Sequence, residues 1–264
     1  MTWLRRNLLL FAALAVLTYM LVPNVVVAVF SFNNPVGRYN YTWTQFSLDA
    51  WRNPCGAAGI CDSLGLSLRI GLIASFTATV LGTMIAFALG RYRFRARAGT
   101  NLLIFMPMAT PEVVMGSSLL TLFLMIGVPA GSLAITIAHI MFCISFVVVA
   151  VKARVATLDP RLEEAAADLG ANPAQTFLRV TFPLAAPGIL AGALLAFSLS
   201  FDDYIITNFN ASPSSITFPM YVWGAAQRGA PVQVNVIGTM MFLVALTVVV
   251  TGQLLSSRRE KARA

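Results

Sequence analysis

Six runs of about twenty apolar residues, at 8–30, 64–89, 102–126, 133–151, 188–206 and 234–255, constrain this chain more than any other feature of it. A bilayer core about 30 Å thick is crossed by roughly 20 apolar residues in a helix. The runs use up most of the 264 residues. They predict an all-α transmembrane fold of six spans, organised as a single transmembrane domain over 1–264. Composition agrees: 58% of residues are hydrophobic and 11% charged, against about 25% charged in a soluble domain.

The net charge of +8 could suggest nucleic acid, but its distribution argues otherwise. The basic residues sit in short clusters between apolar runs: Arg5 and Arg6; Arg91, Arg93, Arg95 and Arg97; Lys152, Arg154, Arg161 and Arg179; Arg258, Arg259, Lys261 and Arg263. With six spans these clusters share one side, and the other side keeps Arg38, Arg52 and Arg228, with Arg69 close to a span end. Basic residues accumulate in cytoplasmic loops. The chain is therefore expected to be a multi-pass membrane protein with both termini cytoplasmic and no nucleic-acid partner. The first run exceeds a signal-peptide core of about 7–15 residues and lacks a clear cleavage site, so it is read as an uncleaved helix that Pro23 can kink. Cys55 and Cys61 fall in the external loop after it, where an oxidising compartment permits a disulfide. Cys143 reads as a small packing residue in span four.

No G-x-x-x-x-G-K-[ST] phosphate loop occurs, and neither lysine, Lys152 or Lys261, follows a glycine. The cradle that would hold ATP phosphates is missing. His139, the single histidine, lies within span four near no cluster of cysteines or carboxylates in sequence. It reads as a packing residue, and no metal site is expected. With no G-x-S-x-G elbow either, no catalytic residue is assigned.

The segment joining spans four and five carries the sharpest signal. Asp159 suits an N-cap and Pro160 the first helical position. Glu163 and Glu164 lie where the helix dipole favours negative charge. Ala165–Ala167 propagate the helix, and Gly170 offers a left-handed stop. Asn172-Pro173 repeats the start signal for a second helix, expected to end before Pro183. The result is a short self-capped helix outside the membrane, with small residues that allow a partner to approach. Glu164-Ala165-Ala166, Gly170, then Val180, Phe182 and Pro183 resemble the EAA motif of ABC importer permeases, E-A-A, three residues, G, nine residues, I-x-L-P, with conservative departures at Val180 and Phe182. The resemblance implies a six-span bundle of the type I importer kind in a bacterial inner membrane, with the EAA loop at about 153–184. It also implies that the loop helix is a coupling helix docking on an ATPase subunit, with Glu164, Ala165 and Gly170 at the contact. ATP and magnesium then belong to that partner, and no cofactor is expected in this chain.

Three acids fall inside predicted spans, where charge is costly and usually faces a wet cavity or a partner. Asp202 and Asp203 come about fifteen residues into span five, roughly 22 Å along it at 1.5 Å per residue. Adjacent helical residues point about 100° apart, so one can face a pathway while the other braces a helix. Two anions there would attract a cation. Glu112 follows Pro107 and Pro111 in span three, where two prolines should open or kink the helix and line a passage. Glu112 itself either lines that passage or bonds a neighbouring helix. Tyr204, Phe209, Phe218, Tyr221 and Trp223 gather near the last external loop, as an interfacial belt or as surfaces for an ammonium group. Trp223 is the main cation–π candidate.

The run from Phe197 to Thr207, FSLSFDDYIIT, is similar to the corresponding segment of spermidine/putrescine permease subunits. That likeness extends along essentially the whole chain. It implies polyamine transport with a second permease subunit, a dimeric ATPase and an external substrate-binding protein. A permease for another small solute and an ion-coupled secondary transporter are the alternatives; the latter should show internal repeats, and none is convincing here.

Overall fold

Backbone that leaves water must bond to itself, and each apolar run does so as helix. The computed structural model describes residues 2–92 and 94–261, with side chains placed over 7–92 and 94–252. Of the basic clusters, Arg93 and Arg263 lie outside the described residues, and the side chains of Arg5, Arg6, Arg258, Arg259 and Lys261 lie outside those placed. Among the described residues β structure is limited to one bridge, Asn33 to Phe46.

The chain divides into two compact units, Met1–Cys61 with Tyr221–Ala264, and Asp62–Met220. The first holds α1 (Thr2–Phe30), with Pro23 inside it, the short α2 (Asp49–Arg52) and α12 (Val232–Lys261), and α1 packs along α12. Its loop after α1 is built around Asn33. The carboxamide of Asn33 accepts from the backbone N–H of Thr44 at 2.8 Å and donates to Asn40 Oδ1 at 2.7 Å and to the Thr42 carbonyl at 2.8 Å. Phe32 stacks on Trp51, ring centroids 5.2 Å apart, and Cys55 is disulfide-bonded to Cys61.

The second unit takes in α3 (Ile60–Arg91) from Asp62 onward, α4 (Arg97–Ala109), α5 (Glu112–Met125), α6 (Ser132–Ala156), α7 (Arg161–Asp168), α8 (Pro173–Thr176), α9 (Phe182–Asp202) and α10 (Ile205–Asn210). A helix α11 (Phe218–Arg228) follows. The centre is α6, with Ala138, Phe142, Val147, Val148 and Val151 buried. Small residues let other helices close on it: a Cβ at Gly82 of α3 would stand 2.8 Å from Val147 Cβ, and one at Gly192 of α9 would stand 3.5 Å from Val147 Cα. Such close backbone approach is how helices associate in lipid, where apolar burial between them contributes little.

Among the described residues five helices are long and apolar enough to span, and the bent pair α4 and α5 makes six when taken as one span. The predicted span at 102–126 is therefore broken, with an angle of 108° between its halves. Proline pushes its predecessor out of helical geometry, and Thr110, before Pro111, has φ −81° and ψ 130°. Pro107 stays inside α4, so Pro111 makes the break.

Two boundaries differ from expectation. The helix opened by Asn172-Pro173 does not end before Pro183; it continues through a π turn, Phe177–Thr181, into α9. Pro183 brings no N–H, and the wider turn absorbs that gap, with the N–H of Phe182 reaching back to the Phe177 carbonyl. The fifth span accordingly occupies Pro173–Asp202, starting earlier than 188 and ending at Asp202 instead of 206.

Candidate functional site

The loop between α6 and α9 folds as its residues dictate. The Asp159 carboxylate accepts from the Arg161 N–H at 3.0 Å, as an N-cap side chain does, although the regular helix begins one residue later than predicted. At the far end the Ala171 N–H bonds the Ala166 carbonyl and the Gly170 N–H bonds the Ala167 carbonyl. This is the paired pattern of a Schellman stop, with Gly170 at φ +82°. Asn172 and Gln175 then form a reciprocal capping box, at 2.9 and 3.0 Å. No residue of α7 is buried. Glu164, Ala165 and Gly170 are all exposed, as a docking surface requires, and Leu169 beside them is 90% exposed. Leu169 was not among the predicted contacts; its signal is an apolar residue next to the helix stop, where a C-terminal hydrophobe would otherwise be covered.

Glu163, one residue before Glu164, turns the other way. Its carboxylate pairs with Arg91 Nη2 at 2.9 Å and accepts from the Thr181 hydroxyl at 3.1 Å.

The acids of span five separate in the same manner. Asp202 ends α9 and is exposed, whereas the Asp203 side chain is only 4% exposed. Asp203 starts α10: Oδ1 accepts from the Ile206 N–H at 3.3 Å, and Oδ2 from the N–H and hydroxyl of Thr207 at 2.7 and 2.8 Å. His139 Nε2 lies 3.2 Å from Asp203 Oδ2 and 3.0 Å from Thr207 Oγ1, and its Nδ1 lies 2.7 Å from Ser200 Oγ. The set is satisfied when Nε2–H donates and Nδ1 accepts, the tautomer following from the network.

One expectation is corrected here. His139 packs against a carboxylate after all, because the α9–α10 break folds Asp203 onto α6. Asp203 is tied to α6 and to the start of α10, and of the pair Asp202 is the accessible charge. His139 has no further acid or cysteine arranged for a metal among the described residues.

Glu112 is exposed in the first turn of α5, directly after the break at Pro111. Its helix is tied to α10: the Asn210 carboxamide donates to the Ile206 carbonyl at 2.8 Å and reaches the Gly116 carbonyl at 3.5 Å. A Cβ at Gly116 would stand 2.8 Å from the Phe209 ring. Tyr204 sits half-buried in the break between α9 and α10. Trp223, 55% exposed on α11, belongs to the other unit.

Comparison with known proteins places the chain. Residues 78–260 match the family described as binding-protein-dependent transport system inner membrane component. The spermidine/putrescine transport system permease protein PotC of Escherichia coli K12 is 32% identical over 247 residues, covering 94% of this chain and 93% of its own. The putrescine transport system permease protein PotI of the same organism is 35% identical over 253 residues, covering 93% and 89%. Among solved structures, a bacterial ABC transporter involved in alginate import aligns over 95% of this chain and 94% of its own, with TM-score 0.67 and 18% identity. An amino acid ABC transporter aligns over 75% of this chain with TM-score 0.57 and 19% identity. The family and the all-helical fold expected from the EAA motif are thereby borne out. The chain belongs to the binding-protein-dependent transport system inner membrane components and is a multi-pass ABC importer permease.

Proposed function

We propose that the chain works as one transmembrane domain that forms, with a second permease subunit, a pathway for polyamines such as spermidine and putrescine. A dimeric ATPase holding ATP and magnesium drives it, an external binding protein delivers the substrate, and both termini face the cytoplasm. The observation that carries the substrate class is the exposed Asp202 at the end of α9, in a chain whose curated relatives are polyamine permeases along more than nine-tenths of its length. Glu112 and Tyr204 contribute to that passage, and Trp223 is a separate surface for an ammonium group. Glu164, Ala165 and Gly170 form the ATPase contact, with α7 as the coupling helix.

A single carboxylate suffices to favour a passing ammonium. At about 4 Å and an effective dielectric near 20, the attraction is on the order of 4 kcal/mol before desolvation. Retaining a third of it gives about a tenfold effect on rate. Asp202→Asn is therefore expected to lower uptake of labelled spermidine and putrescine at least about tenfold, with the assembled complex recovered in wild-type amount. The decisive measurement is uptake by the complete complex in proteoliposomes. Transport of some other solute with neither polyamine carried would remove the substrate assignment, and unchanged kinetics in the Asp202 variant would remove its role.

A further inference from the structure

α7 touches the rest of its unit sparingly. It buries no residue, and its close backbone neighbours are α8 and the π turn. A cavity of about 460 Å³, lined by Phe87, Arg91, Glu163, Ala167 and Phe177 among others, lies between it and the helix ends. A lever separated from its load by open space transmits little unless something bridges the gap.

The bridge is Glu163. Its carboxylate joins three elements: α7 itself, α3 through Arg91, and the root of α9 through Thr181, which is 5% exposed. Arg91 Nε is buried with no hydrogen-bond partner among the described residues, and the guanidinium holds Glu163 through Nη2. Around the pair, Phe87 of α3 meets Phe177 of the π turn edge-on, centroids 5.3 Å apart, and Phe177 contacts Phe182 at 6.0 Å. The π turn is itself a site of altered helix register, and such turns concentrate at functional positions.

We propose that Arg91 and Thr181 are positioning residues that act through Glu163, making α3, α7 and α9 move as one body when α7 is displaced. Glu164, about 100° round the helix, meets the ATPase; Glu163 passes the displacement inward. This rests on the reading of α7 as a coupling helix.

The test uses the full complex with its ATPase and binding protein, measuring uptake and ATP hydrolysis together. Glu163→Gln keeps the shape and the Thr181 contact but loses the charge, and Arg91→Glu reverses the other partner. Each is expected to assemble with the ATPase and to lower substrate transported per ATP by at least about fivefold, the lower bound for typical site-to-site coupling. The exchange Arg91→Glu/Glu163→Arg is expected to restore coupling, which a merely structural role for either residue would not do. A coupled wild type with single variants still coupled, or an assembled exchange variant that stays uncoupled, overturns the brace alone. A wild-type complex whose hydrolysis ignores the loaded binding protein overturns both the brace and the coupling-helix reading.

Discussion

His139→Leu is expected to cost the second unit about 3 kcal/mol, the upper end of the range for leaving a buried hydrogen-bonding group unsatisfied, because the group left short is a carboxylate. The reason is what it strands. Asp203 would keep three donors from Ile206 and Thr207 but lose the imidazole, and Ser200, 4% exposed, would lose its partner. A carboxylate short of one donor inside the membrane is the costly product. The double variant His139→Leu/Asp203→Leu should recover much of the loss, since replacing both partners of a buried hydrogen bond by apolar groups can be nearly neutral. Thermal unfolding of the purified complex, carried through the four corners of a double-mutant cycle, measures this. A double variant as unstable as the sum of the singles would show that the two side chains do not interact.

Gly170→Val should abolish coupled transport while leaving membrane insertion unchanged. Space is not the obstacle, because a Cβ at Gly170 would meet nothing within 4 Å. The obstacle is φ +82°, which costs an L-residue roughly 1–2 kcal/mol and a β-branched one more. Released from that conformation, the stop unwinds and the turn carrying Leu169 and Ala171 is re-aimed. Gly170→Asn, which tolerates the left-handed region, should keep most of the activity, so the pair of variants separates conformation from side-chain bulk. Uptake and ATPase copurification read the outcome; normal substrate-dependent hydrolysis in the valine variant would sink the idea.

Local chemistry in this chain was legible; contacts between helices were not. The loop caps at Asp159, Gly170 and Asn172 follow from short-range preferences, and each forms close to where those preferences put it. Span existence follows from hydropathy in the same way. Span ends do not, because an apolar run cannot say where a helix breaks: Ile205 and Ile206 look like more of span five yet lie in α10. The bend at Thr110–Pro111 was foreseen as a kink, and the size of the turn depends on packing the sequence does not display. The partners of His139 lie more than sixty residues along the chain, so no local pattern reveals them. A clue existed: Ser200, Asp203 and Thr207 fall at helical spacing, a polar stripe in an apolar run that needs a polar side chain opposite.

The π turn at Phe177–Thr181 has a mechanical consequence for the acids at the other end of its helix. A π turn holds more residues than an α turn. Relaxing it to α geometry would rotate everything beyond it by about 100° and slide it about 1.5 Å along the axis. Asp202 would leave the accessible face, and Asp203 would be drawn off His139. Thr181, held by Glu163, is the last residue of that turn. The phase of α9, and with it which of two neighbouring carboxylates a passing cation meets, is thus set from the opposite end of the helix.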